Sequence, residues 1–303
     1  MFFNDDRPQS DVMMTRSEAA TYTAFLCWNC SAGKGAWWVM SIVVSRDGTE
    51  IVYDREGSGP AVVLIDGALG TRSTFTKPEL VRLLAQQFTV YNYDRRGRGE
   101  SGDTSPYAVA REVEDIEALI VDAGGTAFMY GHSAGAALGL EAALALGQKV
   151  KALAMYEVPY NDDAAAQERR KKYVIELEAL LADGRREDAV LLFLNNLQIP
   201  AQQVEMMRGL PLWGEFEAAA PTLAYDAAML GEAGRVPVER AAQLEIPVLV
   251  MNGGASYPFM AATARTLSKA MPHAELRKLT GQTHGANPTV LAPVLAEFFS
   301  AHG

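Results

Sequence analysis

Residues 129–136 read Met129-Tyr130-Gly131-His132-Ser133-Ala134-Gly135-Ala136, between an apolar run, Ala127 to Tyr130, and a small-residue segment, Ala136 to Leu146. In that setting G-x-S-x-G describes a sharp strand-to-helix turn that lifts the serine hydroxyl clear of a sheet. The glycines have a steric task. Ser133 must take a strained backbone conformation, and side chains at 131 and 135 would meet neighbouring main chain.

Working outward from this turn, buried-strand runs alternate with helical patterns. Ala61 to Ile65, Thr89 to Tyr93, Val150 to Tyr156, Val248 to Met251 and Ala274 to Leu279 read as strands. Glu79 to Gln87 and Val109 to Val121 read as helices, and a last helix opens at Asn287-Pro288, an N-cap followed by proline at the first helical position. Continuous apolar strands separated by helices imply an α/β fold with a mostly parallel central sheet and helices on both faces. Before them, Ser41 to Ser45 and Glu50 to Tyr53 flank Asp47-Gly48, as in a β-hairpin.

The alternation stops between 157 and 241. Asp162 to Leu181, Arg186 to Leu197 and Glu215 to Leu230 read as helices with no strand between them, and Pro200, Gly209, Pro211, Gly214 and Pro221 divide the segment further. The expected division is therefore an N-terminal extension without regular period over 1–39, a core over 40–157 and 241–303, and an inserted helical unit over 158–240. Cys27 and Cys30, the only cysteines, fall in the extension. Neither a βαβ context nor further ligands accompany their CxxC, so no redox or metal site is expected there.

Composition narrows the function classes. The chain has 303 residues, 49% hydrophobic and 21% charged, the balance of a globular protein with a sizeable core. A formal charge of -10 opposes nucleic acid and anionic membrane surfaces as partners. No apolar run reaches the roughly 20 residues of a membrane-spanning helix, and no secretory signal pattern opens the chain. A cytoplasmic protein, monomer or homodimer, is expected.

A serine hydroxyl is a weak nucleophile unless a base takes its proton. Of the four histidines, His132 is inside the elbow, His273 precedes a strand in a proline-containing turn, and His302 is next to last. His284 remains, in Thr280-Gly281-Gln282-Thr283-His284-Gly285, between the last strand and the final helix.

Four motifs in this order resemble the α/β-hydrolase fold family over roughly residues 41 to 301. They are Leu64-Ile65-Asp66-Gly67-Ala68-Leu69-Gly70 after the third strand, Asp94-Arg95-Arg96-Gly97-Arg98-Gly99-Glu100-Ser101 after the next, the elbow itself, and Gly281-x-x-His284. The resemblance implies that Ser133 is a nucleophile, that His284 is its base, and that the insertion is a cap over the site. It further implies an oxyanion hole from the backbone N–H groups of Ala68 and Ala134. Where the family commonly has His, this chain has Asp66, whose charge would oppose an oxyanion unless paired; Arg72 and Arg95 are the sequence-level candidates to neutralise it.

The triad acid departs from the commoner pattern. The family usually carries an Asp after the strand at 248, yet Asn252-Gly253-Gly254-Ala255-Ser256-Tyr257 contains no carboxylate. A minority carry the acid after the preceding strand, and Lys151 to Pro159, with Glu157 at its end, looks like that strand of haloalkane dehalogenases. Glu157 is the choice, with Asp162 or a bare Ser-His dyad as the alternatives. Dehalogenation itself would need an Asp nucleophile where Ser133 stands.

The implied activity is a cofactor-independent and metal-free serine hydrolase, carboxylesterase- or lactonase-like, cleaving an ester, lactone or related acyl bond of a small apolar substrate. The alternatives are non-hydrolytic chemistry on the same scaffold (lyase, cyclase, perhydrolase or cofactor-free oxygenase) and a ligand-binding, receptor-like protein with a slow triad. Leu69, His132, Trp213, Phe216 and Tyr257 are the expected pocket residues.

Overall fold

The computed structural model describes residues 40–74 and 77–303. Its centre is one eight-stranded sheet of β1 (Met40–Val44), β2 (Glu50–Gly57), β3 (Ala61–Ile65), β4 (Thr89–Tyr93), β5 (Ala127–His132), β6 (Val150–Tyr156), β7 (Val248–Gly253) and β8 (Ala274–Leu279). The spatial order is β1-β2-β4-β3-β5-β6-β7-β8, with β1 and β2 antiparallel to their neighbours and the other pairs parallel. The expected hairpin is thus the sheet's first edge. The extension over 1–39, with its CxxC, lies outside the described residues.

The parallel strands from β3 to β7 are mostly apolar because both faces are covered, whereas the edge strand β8, AELRKL, is largely exposed. On one face lie α2 (Val109–Asp122), α3 (Ala134–Leu146) and α10 (Pro258–Ala270), sharing a core with Val63, Met129, Leu153 and Val250. On the other lie α1 (Lys77–Leu84) and α11 (Pro288–Ser300), which close over Leu64, Phe128, Ala154 and Met251. Phe128 stacks on Phe299 at 4.9 Å between centroids, and Phe88 meets both rings edge-on at 6.3 and 6.0 Å. Burying each such side chain contributes about 1.5–3 kcal/mol.

Between β6 and β7 run α4 (Ala164–Ala182), α5 (Arg186–Asn196), α6 (Ala201–Arg208), α7 (Leu212–Ala219), α8 (Leu223–Leu230) and the short α9 (Val238–Ala241). They have a core of their own, with Tyr173, Leu177, Leu194, Trp213, Phe216 and Leu223, joined by Leu69 from the loop after β3. The run from Glu215 to Leu230 is two helices, since Pro221 lies in a 3-10 turn over Ala220–Thr222 that separates them. Asn287 caps α11 as expected, accepting from the Thr289 N–H at 2.9 Å. Among the described residues, no helix is long and apolar enough to cross a membrane.

The strand order positions the site. After β3 the chain moves to β4 on one side and later to β5 on the other, so the carboxyl ends of β3 and β5 border the crevice where parallel sheets bind ligands. Asp66 and Ser133 each follow directly on these two strands.

Candidate active site

Ser133 links β5 to α3 with φ 54° and ψ -125°, a conformation that costs a non-glycine residue about 1–3 kcal/mol. Its N–H donates to the Tyr156 carbonyl of β6 at 2.9 Å, and its carbonyl accepts from the Ala136 N–H at 2.9 Å. The turn has no room to relax. A Cβ on Gly135 would stand 2.3 Å from the Ile65 carbonyl oxygen and 2.4 Å from that of Asp66.

The register carries the other groups to the same edge. His132 lies opposite Tyr156, and Tyr156 opposite Met251, so Glu157 emerges one step beyond β6, beside the end of β7. Glu157 also has positive φ, 57°, and is completely buried. One of its carboxylate oxygens accepts from the Gly253 N–H at 2.8 Å, and the other from the Ser256 hydroxyl. That second oxygen also faces His284 Nδ1 at 3.3 Å. Burial alone would raise this carboxyl; the hydrogen bonds from His284, Ser256 and Gly253 outweigh it and hold it below the usual glutamate range.

Several contacts fix the loop that carries His284. The Tyr156 hydroxyl donates to the Thr283 carbonyl, and His132 Nε2 lies 2.9 Å from the His284 carbonyl oxygen, which makes Nε2 the donor. Gly253 lets this loop approach β7, since a Cβ there would lie 2.4 Å from the Gln282 carbonyl oxygen. His132 is pushed down to about 4, mainly by burial and then by His284, so its ring is neutral near pH 7. With Nδ1 on the carboxylate, His284 has Nε2 as the ring nitrogen without a hydrogen-bond partner among the described residues. Ser133 forms no side-chain hydrogen bond with His284 among the described residues, a contact that commonly tightens only when substrate binds.

Asp66 is neutralised by a residue other than the two expected arginines. Lys77, at the start of α1, donates to it at 3.1 Å, and the Gly67 N–H at 2.9 Å. Burial pushes the Asp66 carboxyl up; Lys77, His132 and these hydrogen bonds outweigh it and keep it low. Neither expected arginine does this work. Arg72 pairs with Asp54 at 3.2 Å and with Glu100, and Arg95 gives two bonds of 2.7 Å to Glu112. Both guanidiniums pair with carboxylates other than that of Asp66, and no single-sequence pattern could reveal that.

A cavity of about 770 Å³ lies over these groups, lined by Ser133, His284, His132, Ala68, Ala134 and Leu69 on the sheet side. Phe216, Tyr173 and Met207 line it from the insertion, and Tyr257 from the loop before α10. Trp213 does not reach it. That indole is packed in the insertion's own core, with its N–H on Glu217 at 2.9 Å. Asp162, the alternative acid, accepts from the Val236 N–H at 3.1 Å, whereas Glu157 occupies the Nδ1 side of His284.

The sequence model of the alpha/beta hydrolase family matches residues 62–294. The chain belongs to this family. An alpha/beta hydrolase from Sphaerobacter thermophilus is 46% identical, with a TM-score of 0.77 over 86% of this chain and 100% of that one. The zearalenone hydrolase of Cladophialophora bantiana is 30% identical over 125 residues, 39% of this chain and 47% of that protein. RutD of Azorhizobium caulinodans, a candidate carbamate hydrolase, is 33% identical over 107 residues, 34% of this chain and 39% of that protein. The chain thus spans less than half the length of these two curated relatives. Such alpha/beta hydrolase relatives are named for hydrolysis of different compounds, so the substrate must be argued from the cavity.

Proposed function

We propose that the chain is a cofactor-independent serine hydrolase that cleaves an ester, lactone or related acyl bond through an acyl-enzyme. The observation that carries this reading is the 3.3 Å contact of His284 Nδ1 with the buried Glu157 carboxylate, at the rim of a cavity that Ser133 also lines. Glu157 fixes the tautomer, and its charge stabilises the imidazolium that forms. Nε2 of His284 takes the proton of Ser133 as the hydroxyl oxygen adds to the acyl carbon, then returns it to the leaving group. Water, deprotonated by the same nitrogen, resolves the acyl-enzyme.

The developing oxyanion is received by the backbone N–H groups of Ala68 and Ala134, each such donor contributing about 10²–10³ in rate. Asp66 leaves that position free of opposing charge because its carboxylate is committed to Lys77 and the Gly67 N–H. Residues 158–240 act as a cap. Phe216, Leu223 and Met207 from this cap, with Leu69 and Tyr257 from the core, favour a substrate with a small apolar body.

Labelling with a fluorophosphonate, followed by peptide mass spectrometry, tests the reading. The adduct is expected on Ser133, with p-nitrophenyl ester turnover abolished by Ser133→Ala. Tight ligand binding without turnover or labelling would overturn it in favour of a receptor-like protein.

A further inference from the structure

Arg98, in the turn after β4, is 2% exposed, and each of its nitrogens is engaged. Nε donates to Thr222 Oγ1 at 3.0 Å, Nη2 to Asp226 Oδ2 at 2.8 Å, and Nη1 to the main-chain carbonyl of Gly67 at 2.8 Å. Arg95 stands beside it. Its Nη1 reaches the other Asp226 oxygen at 2.9 Å and the Asp66 carbonyl at 3.2 Å. Two consecutive carbonyls of the loop after β3 are therefore held by two guanidiniums, and both guanidiniums share one carboxylate on α8.

The consequence lies one atom further along the chain. The Gly67 carbonyl and the Ala68 N–H belong to one planar trans peptide and point in opposite directions. Whatever fixes the first fixes the second. The loop itself supplies only a long bond to the Gly67 carbonyl, from the Gly70 N–H at 3.4 Å, so beyond the positive φ that a flip would force on Ala68 the guanidinium is the main hold on this plane. In the flipped form a carbonyl oxygen, not an N–H, would face the cavity beside Ser133. A Cβ placed on Gly67 would lie 3.0 Å from Ser133 Cβ, so the plane borders the reacting hydroxyl directly.

We infer that Arg98 is the positioning residue that keeps the Ala68 N–H turned toward the developing oxyanion, and that Asp226 ties this clamp to the helical insertion. The inference rests on the serine-hydrolase reading of the cavity. Arg98 touches no reacting atom. Its effect appears only where charge develops on the substrate oxygen, so it belongs to the transition state and not to ground-state binding.

Arg98→Lys retains the charge but cannot span three acceptors at once. With a p-nitrophenyl ester, kcat is expected to fall about 10- to 100-fold, up to the effect of losing one oxyanion donor, while KM changes less than about threefold. An alkyl trifluoromethyl ketone supplies the readout that a merely structural role would not move. Ser133 Oγ adds to its carbonyl carbon, the proton passes to His284 Nε2, and the carbonyl oxygen becomes the alkoxide that the Ala68 N–H receives. Its Kd should weaken by the factor lost in kcat/KM, and the Kd of the matching secondary alcohol, which forms no adduct, should not. Asp226→Asn, which keeps the shape of the network, should show the same pattern with a smaller factor.

Unchanged kcat and ketone affinity in folded Arg98→Lys would overturn the inference, as would equal weakening of ketone and alcohol. So would failure of both variants to fold, which would assign the network to stability. If the unaltered protein neither turns over the ester nor takes the fluorophosphonate, the hydrolase reading fails first and the clamp fails with it. If it does both, only the clamp is on trial.

Discussion

Glu157 has its backbone at φ 57° and its carboxylate in the interior, two costs that a strand-end residue on the surface would not bear. Three hydrogen bonds offset the burial, and each comes from a residue near the proposed base or from that base. Under the triad reading, Glu157→Gln should lower kcat at least about 10²-fold with little change in KM; the equivalent change in a serine protease costs about 10⁴. Near wild-type kcat in a folded variant would sink the assignment. Ser256 offers a second test, because its hydroxyl already donates to the oxygen that faces His284. Adding Ser256→Asp to the Glu157→Gln variant would place a carboxylate beside the same imidazole and should restore part of the rate. His284→Ala, by contrast, removes the proposed base and should cost several orders of magnitude; retention of more than a tenth of kcat would exclude it. The proposed acid is visible in the sequence only through an omission, the lack of a carboxylate in 252–257, together with a strand that ends in one. Lys77 could not have been found that way, because nothing local distinguishes its pairing with Asp66 from an exposed lysine at a helix start.

The parallel strands from β3 to β7 were legible because each is a short, mostly apolar run bounded by turn residues, and their carboxyl ends fall where the elbow requires; β8, at the edge, alternates charged and apolar residues instead. The helices of the insertion were legible as helices but not as partners. Their period says which residues are apolar, yet the contacts that seat Trp213 inward and Phe216 toward the cavity depend on tertiary packing. α10 is not marked in the sequence, because Pro258, its first helical residue, follows directly on the loop-like stretch Asn252–Tyr257. At this scale the elbow is a contact between elements, with α3 pressed on the end of β3 through Gly135. Helix propensity favours alanine over glycine by about 0.8–1.0 kcal/mol. A Cβ 2.3 Å from one main-chain oxygen and 2.4 Å from another forces the end of β3 to move, at about 1–3 kcal/mol or more. The clash should win, so Gly135→Ala is expected to lower the melting temperature by several degrees and to reduce kcat through the displaced Ala68 loop. A variant with unchanged melting temperature and kcat would show that the turn is slacker than its geometry indicates.

For the molecule as a whole, stability near the acid side of neutrality should carry the signature of His132. The unfolded chain takes up this proton near pH 6.5, but the folded one resists until about 4, because burial disfavours the charged ring and His284 adds to that. Asp66 and Glu157 act in the opposite sense without reversing it. Between those two values the unfolded state binds more protons, so stability rises with pH; equally, it is lost as pH falls from about 6.5 to 4 and levels off below. The full span sets an upper bound of roughly 3 kcal/mol, reduced because the ring is only part-buried at the cavity wall; about a third of it is still a few degrees of melting temperature for a domain of this size. Asp66 and Glu157 are themselves held below their ordinary ranges, so their contributions are lost from the ordinary carboxylate range downward and overlap only the acid end of the His132 window. His132→Gln isolates the effect, since the amide can donate to the His284 carbonyl as Nε2 does and carries no charge at any pH. Melting temperature measured from pH 7.5 to 4.5 should fall more steeply for the unaltered protein than for His132→Gln. Parallel curves would mean that His132 titrates normally in the folded state, solvated through the cavity that it lines.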